Sequence, residues 1–157
     1  MLTSPPPVPN AIWASAGAAE GDTELNAFDN ALLAARVGNL NLIRVSSVLP
    51  KDALVLDEPP QITPGALVPT VYAVQVSGQR GETVAAAVGI GVGEGSHGMI
   101  FESHGGSRHE VEATVRQMVA EGFARRELRL KEVIVRSIEH KVERIGCAVA
   151  AVVLWWR

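Results

Sequence analysis

From Thr83 to Val92 the chain reads Thr-Val-Ala-Ala-Ala-Val-Gly-Ile-Gly-Val, without a charge and without polar alternation. A short uncharged run of this kind is expected of a strand buried on both faces, which needs a layer of structure above it and another below. The neighbouring segments supply candidates. Ile12 to Ala16, Asn39 to Leu49, Thr70 to Val76 and Gly98 to Glu102 read as strands, as do the longer Leu128 to Ile138 and Ile145 to Trp156. Two stretches carry helical spacing instead. Thr23 is placed as an N-cap ahead of Leu25, Phe28, Leu32 and Ala35, with Gly38 as the stop. Ser107 and Glu110 form a capping-box pattern ahead of Val111, Val115, Met118, Val119 and Phe123. Gly17 to Gly21 and the Pro-, Gly- and acid-rich Lys51 to Pro69 read as loops, the second long enough for a cover or a subunit contact. Two helices with six or seven strands, and few βαβ alternations, predict an α/β fold. We expect a layered sandwich of stacked, mainly antiparallel sheets with helices outside, αββα-like.

The bulk properties narrow the function classes. The 157 residues suit one domain, expected over 11–157 behind a Pro-rich tail at 1–10 that holds four prolines. A net charge of −3 gives no broad basic surface for nucleic acid. The longest apolar run, Cys147 to Trp156, is about half of a spanning helix, so no membrane partner is expected and a cytoplasmic location is. Cys147 is the only cysteine. It rules out an internal disulfide and a cysteine zinc site, and it fits a reducing compartment.

Ser46 and Ser47 stand side by side in the apolar run Leu40 to Pro50, where small hydroxyls add little packing. The pair is what a chain needs to cut itself. The Ser47 hydroxyl attacks the Ser46 carbonyl and forms an ester by N-to-O acyl shift. Elimination breaks that ester and leaves dehydroalanine at 47, which hydrolyses to a pyruvoyl group. A ketone next to a carbonyl is a covalent electron sink that forms Schiff bases with amines. On its own such a dipeptide more often satisfies its own hydrogen bonds at a strand end.

The blocks Glu20-Gly21-Asp22-Thr23-Glu24-Leu25-Asn26-Ala27-Phe28-Asp29 and Asn39-Leu40-Asn41-Leu42-Ile43-Arg44-Val45-Ser46-Ser47-Val48-Leu49-Pro50 resemble the pyruvoyl-dependent arginine decarboxylases. The likeness continues at Gly65 to Thr70, at Ile100-Phe101-Glu102 and at Gly146 to Trp156, so it covers the chain from about Ser15 onward. It implies cleavage between Ser46 and Ser47 into a β chain (1–46) and an α chain (47–157), with the pyruvoyl group at 47. It also implies trimers with sites between subunits, arginine as substrate, and agmatine and carbon dioxide as products. No metal or diffusible cofactor is implied. By matching position, Asn41 assists cleavage or orients the reactive carbonyl, Glu102 donates a proton, and Asp29 contacts the substrate guanidinium.

Local chemistry bears on each role. An Asn41 amide aimed at the Ser46 carbonyl would stabilise the oxyanion of the acyl shift. Yet six residues of straight strand span about 20 Å, so Asn41 reaches Ser47 only across a bend or from another chain; the alternative is an asparagine capping the preceding turn. Glu102 follows Met99-Ile100-Phe101, and apolar surroundings favour the protonated acid that can return a proton to a carbanion. Without the resemblance it reads as an exposed acid at a strand end. Asp29 is the natural bidentate partner of guanidinium, or else a solvated helix acid. It cannot measure substrate length, which leaves another amino acid open, and a non-cleaving trimeric scaffold is the rival class. Two departures from the family pattern stand out: Arg36, where glycine is expected near the helix end, and Ala18-Ala19, where glycine or serine is.

Other motifs carry less. Gly93 to Gly98 matches GxGxxG, but the next residues read as strand, not as the helix that phosphate binding needs. His97, His104, His109 and His140 lack metal-ligand spacing and read as surface or loop histidines. Trp155 and Trp156 point to opposite faces of a strand, so one of them is expected to meet another layer or subunit. Arg125, Arg126 and Arg129 read as a solvated helix end.

Overall fold

The computed structural model describes residues 7–157, so most of the proposed tail, 1–6, lies outside the described residues. The elements follow in the order β1 (Ala11–Glu20), α1 (Glu24–Ala34), β2 (Asn41–Arg44), β3 (Val48–Leu49), β4 (Leu54–Val55) and β5 (Leu67–Ser77). Then come β6 (Thr83–Gly93), β7 (Gly98–Gly105), α2 (Arg108–Arg126), β8 (Leu130–Lys141) and β9 (Gly146–Trp155). One sheet has the order β2-β5-β9-β1-β4, the other β3-β7-β6-β8. Pairing is antiparallel apart from β1 with β4 and β2 with β5.

Strand alternation explains the layers. Ile12, Val71, Ala73, Ala150 and Val152 of the first sheet meet Val84, Ala86, Val88, Ile90 and Ile100 of the second in one core. The opposite face of the first sheet buries Trp13, Val149 and Val153 against Ala27, Ala31 and Leu32 of α1. The outer face of the second takes Val111, Val115, Val119 and Phe123 of α2. The order is helix, sheet, sheet, helix, as the sequence predicts, and β6 is buried along most of its length. Small residues let the helices lie directly on the strands. A Cβ at Gly17 would come within 2.4 Å of the Ala35 nitrogen, and one at Gly91 within 2.5 Å of the Phe123 ring. Both helix starts are capped as expected, Thr23 accepting the Asn26 N–H at 3.0 Å and Ser107 the Glu110 N–H at 3.1 Å.

Several expectations change. Gly17 to Glu20 is not loop but the end of β1, which pairs with β9 from Ala11 opposite Trp155 to Glu20 opposite Gly146. Cross-strand partners override the weak strand preference of a Gly-Ala-Ala run. The Lys51–Pro69 segment contains β4 and the start of β5. The expected strand from Asn39 to Leu49 is broken between β2 and β3, which lie in different sheets. Helix α1 ends before Gly38; Arg36 adopts a left-handed φ of 65°, at a cost of roughly 1–2 kcal/mol that glycine would not carry. Its guanidinium sits 5.8 Å from the Trp13 ring centroid and 3.4 Å from Glu58. No described helix is long and apolar enough to cross a membrane.

The two sheets are joined at one end by Glu20. Its carboxylate meets His140 Nε2 of β8 at 2.5 Å and accepts the Arg144 N–H at 2.7 Å and the Glu143 N–H at 3.3 Å. Burial alone would raise this carboxyl, but the His140 contact and the backbone donors outweigh it and hold it below the ordinary value. A depressed carboxyl contributes stability above its unfolded value, near pH 4, and loses it as pH falls through the lower folded value. Glu20→Gln is therefore expected to lower the thermal midpoint at neutral pH, with the difference from the parent shrinking below about pH 4. Thermal melts across that range check it; a pH-independent difference would sink the linkage.

Candidate active site

Strand β2 follows β5 at the edge of the first sheet as far as Arg44, whose guanidinium carbon lies 4.1 Å from the Tyr72 ring centroid. Val45 gives its N–H to the Thr70 carbonyl at 3.2 Å. There the chain leaves the first sheet. Ser47 occupies a bend, and its carbonyl accepts the Ile100 N–H of the second sheet at 2.7 Å. Val48 and Leu49 then pair with Met99 and Gly98 of β7. The Ser46–Ser47 peptide is thus the span between the sheets. Val45 and Leu49 anchor its two sides in the inter-sheet core, while the serines between them are small and polar. Ser46 is exposed and Ser47 half-buried.

β7 carries Glu102 two residues beyond Ile100, whose N–H holds the Ser47 carbonyl. Met99 and Phe101 pack towards α2, whereas Ile100 enters the inter-sheet core. Period-two alternation then gives Glu102 and His104 the Ile100 face. His104 confirms that direction by reaching across to Gln75 of β5, with its Nδ1 2.6 Å from the amide oxygen. Glu102, half-buried and opposite Val88 of β6, lies one strand repeat, about 7 Å of backbone, beyond the residue that holds the Ser47 carbonyl.

Asn41 and Asp29 are not brought to Ser47 within one chain. Asn41 opens β2, exposed, and its side-chain amide donates to the Gly65 carbonyl at 2.8 Å. It is separated from Ser47 by about 20 Å of extended chain. Asp29 stands on the solvent side of α1, beyond the first sheet as seen from the crossover. Leu25 and Leu33 share its helix face at four-residue spacing, 75% and 48% exposed. Leu67, Val48 and Ile43 are further large apolar side chains left in solvent, near the edge carrying β2 and β3.

His104, read as a surface or loop histidine for want of metal-ligand spacing, is exposed. The strand expected over Gly98 to Glu102 extends to Gly105, which puts His104 on the face of Ile100 and Glu102. The remaining motifs fall elsewhere. Gly93 to Gly98 forms the turn joining β6 to β7 and leads into strand. Cys147 is fully buried, and burial pushes its thiol up to about 11. Trp155 packs against the α1 layer while Trp156 is partly in solvent.

The family model described as pyruvoyl-dependent arginine decarboxylase matches residues 11–156. A Methanococcus maripaludis protein of that name is 45% identical, over 99% of this chain and 96% of its own. Another from Methanocaldococcus jannaschii is 43% identical over 96% and 92%. A third, from Pyrococcus horikoshii, is 49% identical over 89% and 91%.

Proposed function

The chain belongs to the pyruvoyl-dependent arginine decarboxylase family, and from that membership we propose that it cuts itself between Ser46 and Ser47 and decarboxylates L-arginine to agmatine. It is a lyase with a covalently bound pyruvoyl group. The observation that carries the reading is the Ser46–Ser47 peptide spanning two sheets, its Ser47 carbonyl held by Ile100 and Glu102 one repeat away.

The residues present fit the group. In the acyl shift the Ser47 oxygen replaces its own nitrogen on the Ser46 carbonyl carbon. Elimination releases residues 1–46 as a carboxylate, and water then displaces ammonia at position 47. Each new end stays with its own sheet, β2 on β5 and β3 on β7, so cleavage leaves the layers intact. The Ser47 carbonyl becomes the one beside the ketone, and the Ile100 N–H fixes its orientation. The pyruvoyl group supplies an electron sink for the bond to the departing carboxylate.

The chain's own groups do the rest. The Glu102 carboxyl is the group that gives a proton to the substrate carbon once carbon dioxide has left. Asp29 takes the guanidinium as a bidentate partner, and Asn41 orients the carbonyl at the cut. We assign both to a neighbouring copy in a homotrimer or a multiple of one. Their distance from Ser47 within one chain and the exposed Leu25, Leu33, Ile43 and Leu67 support this. A cytoplasmic site of action is part of the same reading.

Intact mass under denaturing conditions tests it first. Expected are two species, 1–46 and 47–157, the larger lighter by one ammonia than a serine-started chain, together with carbon dioxide release from arginine. One uncut mass after long incubation would leave a scaffold. Cleavage with another amino acid consumed would move the substrate alone.

A further inference from the structure

A side chain that serves a site in a neighbouring copy has to be aimed by its own chain. We infer that Gly65 is the positioning residue for Asn41, holding its amide through the carbonyl of a left-handed turn position. The inference rests on the role given to Asn41 above.

Residues 63–66 form a β-turn, closed by the Ala66 N–H on the Thr63 carbonyl at 3.1 Å. The Pro64 ring fixes the first central φ at about −65°, and Gly65 takes the second at 89°. That pair of signs is a type II turn, whose second central position favours Gly or Asn. Three hydrogen bonds tie this turn to the start of β2. Gly65 gives its N–H to the Asn39 carbonyl at 2.8 Å, and the Ala66 carbonyl accepts the Asn41 backbone N–H at 2.9 Å. The Gly65 carbonyl accepts the Asn41 side-chain amide at 2.8 Å. A carbonyl only accepts, so this contact decides which end of the amide faces the turn. Its nitrogen lies against Gly65 and uses one N–H there, which leaves the second N–H for the carbonyl at the cut. Asn41 is exposed, and among the described residues no second hydrogen bond holds its amide. Its aim therefore depends on where the Gly65 carbonyl points. The φ angle turns everything beyond the N–Cα bond, that carbonyl included, and a residue relaxing to negative φ would re-aim it.

Gly81 supplies a matched control. It is the second central residue of the turn at 79–82, at φ 88°, closed by the Glu82 N–H on the Gln79 carbonyl at 3.2 Å. An added Cβ would meet nothing within 4 Å at either glycine. Alanine therefore brings the same kind of backbone strain to both turns and no clash to either. Of the two carbonyls, only that of Gly65 holds a side chain among the described residues.

The test follows the uncut fraction of each full-length protein over time by denaturing intact mass, beside its melting midpoint. Gly65→Ala should cleave about 10- to 100-fold more slowly than the parent, short of the roughly 10²- to 10³-fold loss of a donor removed outright. Gly81→Ala should lower the melting midpoint as much and yet cleave at the parent rate. Gly65→Asn, which accepts positive φ more readily, should recover much of the lost rate. In an Asn41→Ala background, where the amide is already gone, Gly65→Ala should slow cleavage no further. Gly65→Ala cleaving as fast as Gly81→Ala overturns the inference. So does Gly65→Asn no faster than Gly65→Ala, or a full Gly65→Ala effect in the Asn41→Ala background. Asn41→Ala cleaving at the parent rate overturns the role given to Asn41 instead, and the inference with it. A parent that never cleaves overturns the self-processing reading itself.

Discussion

Ser47→Ala yields a single uncut chain of 157 residues and no measurable decarboxylation. Alanine has no oxygen to attack the Ser46 carbonyl, so the ester that precedes cleavage never forms, and neither does the ketone at 47. The whole catalytic acceleration, about 10⁶-fold or more for enzymes, depends on that one atom. Folding does not. Ser47 lies half-buried at a bend and is held through its backbone carbonyl, which alanine retains, so the melting midpoint should stay close to that of an uncut parent. Ser46→Ala separates the two serines: residue 46 supplies only a carbonyl and its side chain is exposed, so this variant should still cleave. Ser47→Thr keeps the hydroxyl and should cleave more slowly, leaving an α chain that begins with a ketone one methylene larger. Intact masses of the three variants check the set. Activity surviving Ser47→Ala would remove the mechanism.

The layered fold was legible because its signals are local. A run buried on both faces at Thr83–Val92 demands cover on both sides, and the caps at Thr23 and Ser107 mark where the covering helices start. The sheet switch at the serines was not legible. Apolar positions continue from Leu42 through Val45 to Leu49, so alternation alone extends one strand across the site. Which sheet each half joins is decided by β5 and β7, 20 residues and more away in sequence. That switch is also what makes the serine pair special, since it puts their peptide where no ladder shields it. The role of Glu102 came from the family resemblance; its neighbours Met99-Ile100-Phe101 alone left an exposed acid at a strand end, and the structure adds that alternation turns it to the Ile100 face. The last residues of β7, Ser103 to Gly105, were not legible. Asn41 and Asp29 illustrate another limit. Spacing already indicated that Asn41 could not reach Ser47 along a straight strand, and the fold adds that the break comes at the Ser47 end. In the proposed assembly it is contacts between copies that bring these side chains to the site, and a single chain's pattern does not encode them.

Glu102→Gln should leave self-cleavage intact and reduce kcat on arginine by about 10²- to 10⁴-fold, the range of general acid catalysis, or about 3–5 kcal/mol of barrier. The amide matches the carboxyl in shape and still forms hydrogen bonds, so KM and the melting midpoint should change little; what is lost is a proton to give. Glu102→Asp keeps the proton but draws it back by one methylene, which places its kcat between the parent and Glu102→Gln. The order parent, Asp, Gln is the signature of a donor acting at a fixed distance. A structural carboxylate would show itself differently: Asp and Gln would suffer together, and the melting midpoint would fall with them. Steady-state kinetics on fully cleaved protein checks the order, with the extent of cleavage measured first so that an unprocessed fraction is not mistaken for slow chemistry. Turnover by Glu102→Gln at the parent rate would remove Glu102 from the reaction and leave the proton to reach carbon by another route.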